Sequence, residues 1–167
     1  MGMNRVQFQQ GLSMAEFLER YGTEEQCHAA LVAARWPQGF CCPHCMDERH
    51  STFVRQGRQY WQCQRCRHQT TVTAGTVFGA TKLPLSRWLL AMHLMAQAKN
   101  NVSALELKRH LGLRYKSAWL MKHKLLQVMV EREAHRVLKG RVEIDDAYLG
   151  GERPGKPGRG SENKIPF

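Results

Sequence analysis

The chain has 167 residues, 43% of them hydrophobic, with a formal net charge of +11 and a pI near 9.8. No apolar run approaches the roughly 18 residues a membrane-spanning helix needs, which argues against a membrane protein. The stretch from Met1 to Leu12 is polar and Gln-rich and has no apolar signal core, so a cytoplasmic setting is expected. In that reducing compartment the six cysteines are expected to bind metal or lie buried, not to form disulfides.

The positive charge is unevenly placed. Residues 41–102 carry eight Lys/Arg against two acids, and residues 103–141 carry ten against three, while both ends of the chain are close to neutral. Such an excess favours a polyanionic partner, because each neutralised phosphate releases condensed counterions. A merely soluble basic surface is the bland alternative.

In chain order, Ser13 to Tyr21 reads as a short amphipathic helix capped by Ser13 and ended by Gly22. Thr23-Glu-Glu-Gln26 has the form of a capping box and opens a second helix to about Arg35, where Pro37 and Gly39 break it. The runs 52–54, 59–62 and 70–73 are β-type and suggest small hairpins. Pro84 sits in the first turn of a third helix to about Ala98, apolar on most faces. Ser103 caps a short helix, Ala104 to Leu111, which Gly112 ends at a site suited to positive φ. A longer helix follows to about Glu133, with Ala118, Met121, Leu125 and Val128 at inward-facing spacing and Trp119 expected in the core. Val142 to Leu149 alternates like a strand, and the tail from Gly150 is rich in Gly, Pro and charge.

Cys42-Pro-His-Cys45 and Cys63-Gln-Arg-Cys66 are separated by seventeen residues. Two such tight turns supply four thiolates to one ion, a closed tetrahedral set that suits structural Zn²⁺ and leaves no open position for catalysis. Cys41 is an alternative to Cys42; the turn spacing and Pro43 favour Cys42. His44 is expected to be exposed and Cys27 to be a core residue. Around this site Arg49, Arg55, Arg58, Arg65 and Arg67 are interleaved with Tyr60 and Trp61. That composition suits phosphate contact and base stacking, or equally a solvated rim with hairpin-packing aromatics.

Residues 103–131 have the parts of a helix-turn-helix, in which Ala104, Leu107 and Leu111 pack against Ala118, Met121 and Leu125. Arg114, Lys116 and Ser117 would then be base or phosphate contacts, with Lys122 and Lys124 gripping the backbone. Asp145 and Asp146 fall in the middle of the expected last strand, where acids are disfavoured unless they have a role. Such carboxylates suit Mg²⁺ or Mn²⁺, although a two-metal site needs acids from several elements. Taken alone, these two residues are better explained as solvated acids on an edge strand.

Taken together, these residues resemble the N-terminal part of a bacterial insertion-sequence transposase, of the class with a zinc ribbon and helix-turn-helix ahead of a ribonuclease-H-like DDE domain. The resemblance is carried by the two Cys-x-x-Cys turns, Thr73-Ala-Gly-Thr-Val-Phe78, Thr81-Lys-Leu-Pro-Leu-Ser-Arg-Trp88, Leu111 to Trp119 and the strand from Val142 to Gly151. It implies an α+β, mostly helical chain: an N-terminal helical segment (1–39), a zinc ribbon of β-hairpins (40–74), a helical module with the helix-turn-helix (75–140), and the start of a catalytic sheet (141–167).

The resemblance also implies that Asp145, and less so Asp146, is the first of three catalytic acids. In a complete family member these hold Mg²⁺ or Mn²⁺ for cutting and joining double-stranded DNA at inverted repeats. The second and third acids have no counterpart here, so the expectation is a truncated, DNA-binding portion, inactive alone. It would act as a homo-oligomer or beside a full-length transposase. A zinc-ribbon and helix-turn-helix transcriptional regulator is the competing reading.

Overall fold

The computed structural model describes residues 11–98, 101–134, 137, 148–149 and 165–166. Two units are present, Met1–Glu131 and Arg132–Phe167. Asp145, Asp146 and most of the expected strand from Val142 lie outside the described residues. Within the second unit, Tyr148–Leu149 pairs antiparallel with Ile165–Pro166.

The first unit begins with α1 (Met14–Tyr21) and α2 (Glu24–Arg35). Both have complete capping boxes: Ser13 with Glu16, and Thr23 with Gln26, each satisfying two amides that the first turn leaves unpaired. The three strands are β1 (His50–Arg55), β2 (Arg58–Cys63) and β3 (Gln69–Thr70), in one antiparallel sheet of order β1-β2-β3. β1 and β2 are joined by Gln56-Gly57, both at positive φ (51° and 72°). Two left-handed residues in a two-residue loop match the right-handed twist of the flanking strands. β3 is shorter than the run 70–73, because the chain turns at Thr71–Thr73 and buries Val72 beneath the sheet.

Three further helices follow: α3 (Leu85–Gln97), α4 (Ala104–Leu111) and α5 (Tyr115–Glu133). Ser103 and Glu106 form a third capping box at α4, and Gly112 ends it at φ 62°, ψ 36°. That left-handed cap lets the Gly112 N–H reach the Lys108 carbonyl, and β-carbon-bearing residues rarely adopt it. The helical core gathers Cys27 from α2, Phe78, Leu85, Trp88 and Ala91 around α3, Leu107 and Leu111 from α4, and Ala118, Met121 and Leu125 from α5. A second cluster joins Phe40, Cys42, Trp61, Cys63 and Val72 beneath the sheet, with Val32 of α2 and its C-cap Trp36 against it. Leu31 packs against both, so α2 is the element that ties the sheet to the helices.

Two expectations about α5 fail. Trp119 is 45% exposed and Val128 42% exposed. Ala118, Met121 and Leu125 already complete the buried stripe, and Trp119 lies outside it. Val128 continues the spacing of that stripe but falls past the end of the helical core.

Glu24 performs a task that local sequence patterns do not show. Pro84 occupies the N-cap of α3 and offers no side-chain hydrogen bond. The Glu24 carboxylate takes its place, accepting from the amides of Leu85 (2.6 Å) and Ser86 (3.0 Å). A carboxylate at a helix N-terminus gains both charge-assisted hydrogen bonds and the favourable end of the helix dipole. Replacement Glu24→Ala is expected to cost about 1–2 kcal/mol, read as a lower denaturation midpoint at neutral pH, with Glu25→Ala as the near-silent neighbour.

Candidate metal centre and cationic surface

The four sulfurs of Cys42, Cys45, Cys63 and Cys66 converge, all lying within 4.8 Å of one another. Cys42 and Cys66 are 3.6 Å apart, and Cys45 and Cys63 are 3.5 Å apart. A tetrahedron of thiolates at about 2.3 Å from zinc has sulfurs about 3.8 Å apart. The donor set therefore fits a structural zinc ion in both chemistry and size. Cys42 and Cys63 are fully buried, so the centre is closed on its inner side.

The two halves are built alike. Cys42 donates its N–H to the Asp47 carbonyl and accepts at its own carbonyl from Met46; Cys63 pairs in the same way with His68 and Arg67. Met46 and Arg67, each one residue past its turn's second cysteine, both sit at φ 60°. Further N–H groups reach the sulfurs: that of Asp47 to Cys45, that of His68 to Cys66 and that of Cys66 to Cys63. The Cys66 N–H leads in drawing Cys63 down to about 7, against the effect of burial. At Cys45 the Asp47 N–H lowers the thiol, but desolvation and hydrogen bonds among the sulfurs outweigh it and push the group up to about 12. A divalent cation would take all four as thiolates.

Cys41 does not join the set. Its sulfur faces the Met46 carbonyl (3.7 Å) and the Met46 thioether (3.9 Å). His44 is exposed, its ring stacked 5.8 Å from that of His68. Cys27 is buried in the helical core. Trp61 is 5% exposed and packs on Trp36 at 4.9 Å, so it serves the ribbon core and not the surface. Tyr60 is half-buried and stacks on Phe53 at 5.4 Å. Arg35 anchors the segment leaving the ribbon, its guanidinium donating to the carbonyls of Thr71 (3.3 Å) and Val72 (2.6 Å). No spacing rule marks Arg35, because its partners lie 36 and 37 residues away.

The cationic residues divide into groups. Arg55 and Arg58 are both exposed and directly opposed across the hairpin tip. Like charges in that register destabilise a hairpin, which marks the tip as a place where an anion is favoured. Arg65 and Arg67 lie at the cysteine end, about 17 Å along a six-residue strand from the tip. Arg49 is paired with Asp47 at 2.9 Å. On α5, Lys116 shares a face with exposed Trp119 and His123, whose rings are 4.0 Å apart. Ser117 and half-buried Lys124 lie on another face, two turns apart, while half-buried Lys122 lies on the far side of the core stripe from them, next to the Lys116 face. Arg114 precedes the helix and is exposed, its carbonyl accepting from Ser117 and Ala118.

Purified chain is expected to carry one zinc. Cys63→Ser should abolish zinc retention and lower the ribbon's protease resistance, whereas Cys41→Ser should keep both, as read by metal analysis and limited proteolysis. Equal zinc loss in the two variants would contradict the assignment of ligands.

Comparison with known proteins agrees with this centre. Residues 22–69 match the family of the transposase zinc-ribbon domain. Over 136 residues the chain is 27% identical to a protein of the transposable element ISH50 of Halobacterium salinarum, covering 79% of this chain and 44% of that relative. The chain therefore spans less than half the length of the curated relative it matches. No solved structure matches. Among the described residues no helix is long and apolar enough to cross a membrane. Residues 22–69 are thus similar to transposase zinc-ribbon domains, and the chain more widely is similar to a protein of a transposable element.

Proposed function

We propose that this chain is the DNA-recognition part of an insertion-sequence transposase, binding double-stranded DNA at the inverted repeats of its element. The observation that carries this reading is the transposase zinc ribbon itself, whose tip holds Arg55 and Arg58 face to face and exposed. The α4–Gly112–α5 segment supports it, acting as a helix-turn-helix that presents Arg114, Lys116 and Ser117 towards the groove, with Lys122 and Lys124 towards the backbone. Zinc is structural in this reading and makes no contact with DNA. The setting is the cytoplasm, where reducing conditions keep the cysteines available for metal.

Strand cleavage and transfer belong to the same proposal as a property of the complete transposase. Asp145 is the first acid of its Mg²⁺- or Mn²⁺-binding set, with Asp146 the lesser candidate. In this reading these 167 residues by themselves bind DNA without cutting it, because a two-metal site needs acids from several elements and Asp145 and Asp146 are neighbours in one.

Binding to duplexes carrying the element's ends should weaken linearly in log–log form as salt rises, with a slope set by the number of phosphates contacted. The same preparation should leave supercoiled plasmid intact in Mg²⁺ or Mn²⁺. A flat salt dependence would remove the DNA reading; metal-dependent nicking by clean protein would remove the division of labour. Protection of promoter sequences in preference to element ends would favour a regulator instead.

A further inference from the structure

Two grooves of the first unit share one wall. The larger, about 560 Å³, runs between α2, the β1–β2 hairpin tip and the segment Ala80–Leu85, and is lined in part by Gly57, Arg58 and Lys82. The smaller, about 240 Å³, lies between Ala80–Leu83 and α5 and is lined in part by Lys82, Ser117, Leu120 and Lys124. Residues 80–83 line both, so the hairpin tip, Lys82 and one face of α5 follow one another across the surface.

The shared wall is held in place. Thr81 accepts at its hydroxyl from the Leu83 N–H (3.1 Å) and from the Trp88 indole (3.4 Å). Trp88 is 2% exposed, which fixes the segment to the helical core. Lys82 itself is exposed. The larger groove also contains acids: Glu24 is committed to the α3 amides, and Glu25 leaves one carboxylate on the α2 side. A polyanion is therefore favoured along the opposite side, past Arg58 and Lys82.

The geometry points to Lys82 as a phosphate contact that bridges the zinc ribbon and α5, so that one continuous stretch of duplex DNA runs from Arg58 past Lys82 to Ser117 and Lys124. This rests on the DNA-binding reading above and adds to it a path and a residue. A compact ammonium carried on a fixed loop suits a sequence-independent backbone contact and not a base contact. Affinity at Lys82 should therefore be indifferent to base sequence.

The test compares unaltered chain, Lys82→Gln and Lys82→Arg, each zinc-loaded, on element-end and scrambled duplexes between 50 and 200 mM salt. Losing one phosphate contact lowers the log–log slope by about 0.9, so the affinity ratio across that range shrinks about 3.5-fold. Lys82→Gln should show this on both duplexes, and Lys82→Arg should restore the slope. An unchanged slope in Lys82→Gln, with the parent chain salt-dependent, overturns the bridge and leaves the DNA reading standing. A loss on the element end alone overturns the backbone assignment. A parent chain with no salt-dependent binding overturns both readings.

Discussion

Convergence of four thiols is the constraint on which the ribbon depends. A sheet of two six-residue strands and a two-residue third is too small to be stable on its apolar area. Its buried layer is short: Phe40, Trp61 and Val72, with two of the cysteines themselves. Ion binding at such a site carries on the order of 10–16 kcal/mol of apparent free energy, more than burial of three such side chains supplies. It also tolerates local strain, since Met46 and Arg67 both sit left-handed at about 1–2 kcal/mol each. Those two residues aim the amides that hold the sulfurs, so the strain and the metal centre belong together.

The ribbon's position is set elsewhere. Arg35 clamps its exit segment, Trp36 packs against Trp61, and Leu31 reaches both hydrophobic clusters. The same helix then caps α3 through Glu24. α2 is in this way the bracket between a metal-organised half and a conventionally packed half. The second half owes its integrity to Leu107, Leu111 and Met121, all essentially solvent-free. Two sources of stability in one unit allow the cationic hairpin tip and α5 to be presented in fixed register.

What could be read from the sequence was mostly local. Capping residues Ser13, Thr23 and Ser103, and the left-handed Gly112, act within four residues of themselves, so helix starts and stops were visible. Paired cysteine spacing made the sulfur cluster legible for the same reason. The roles of Glu24, Arg35 and the Lys82 loop were not visible, because their meaning lies in partners distant along the chain. Trp119 misled for a related reason: bulk and hydrophobicity suggested the core, yet Ala118 and Met121 already fill it. The equal weighting of Trp61 as stacking platform or core residue is resolved by Trp36 beneath it.

Zinc would organise the ribbon, while the helices stand on their own core. Amide hydrogen exchange with and without a chelator tests this most directly. Removing the metal should abolish protection across His50–Thr70 and leave protection in α3, α4 and α5 essentially intact. Retention of ribbon protection in metal-free protein, or simultaneous loss in both halves, would contradict it.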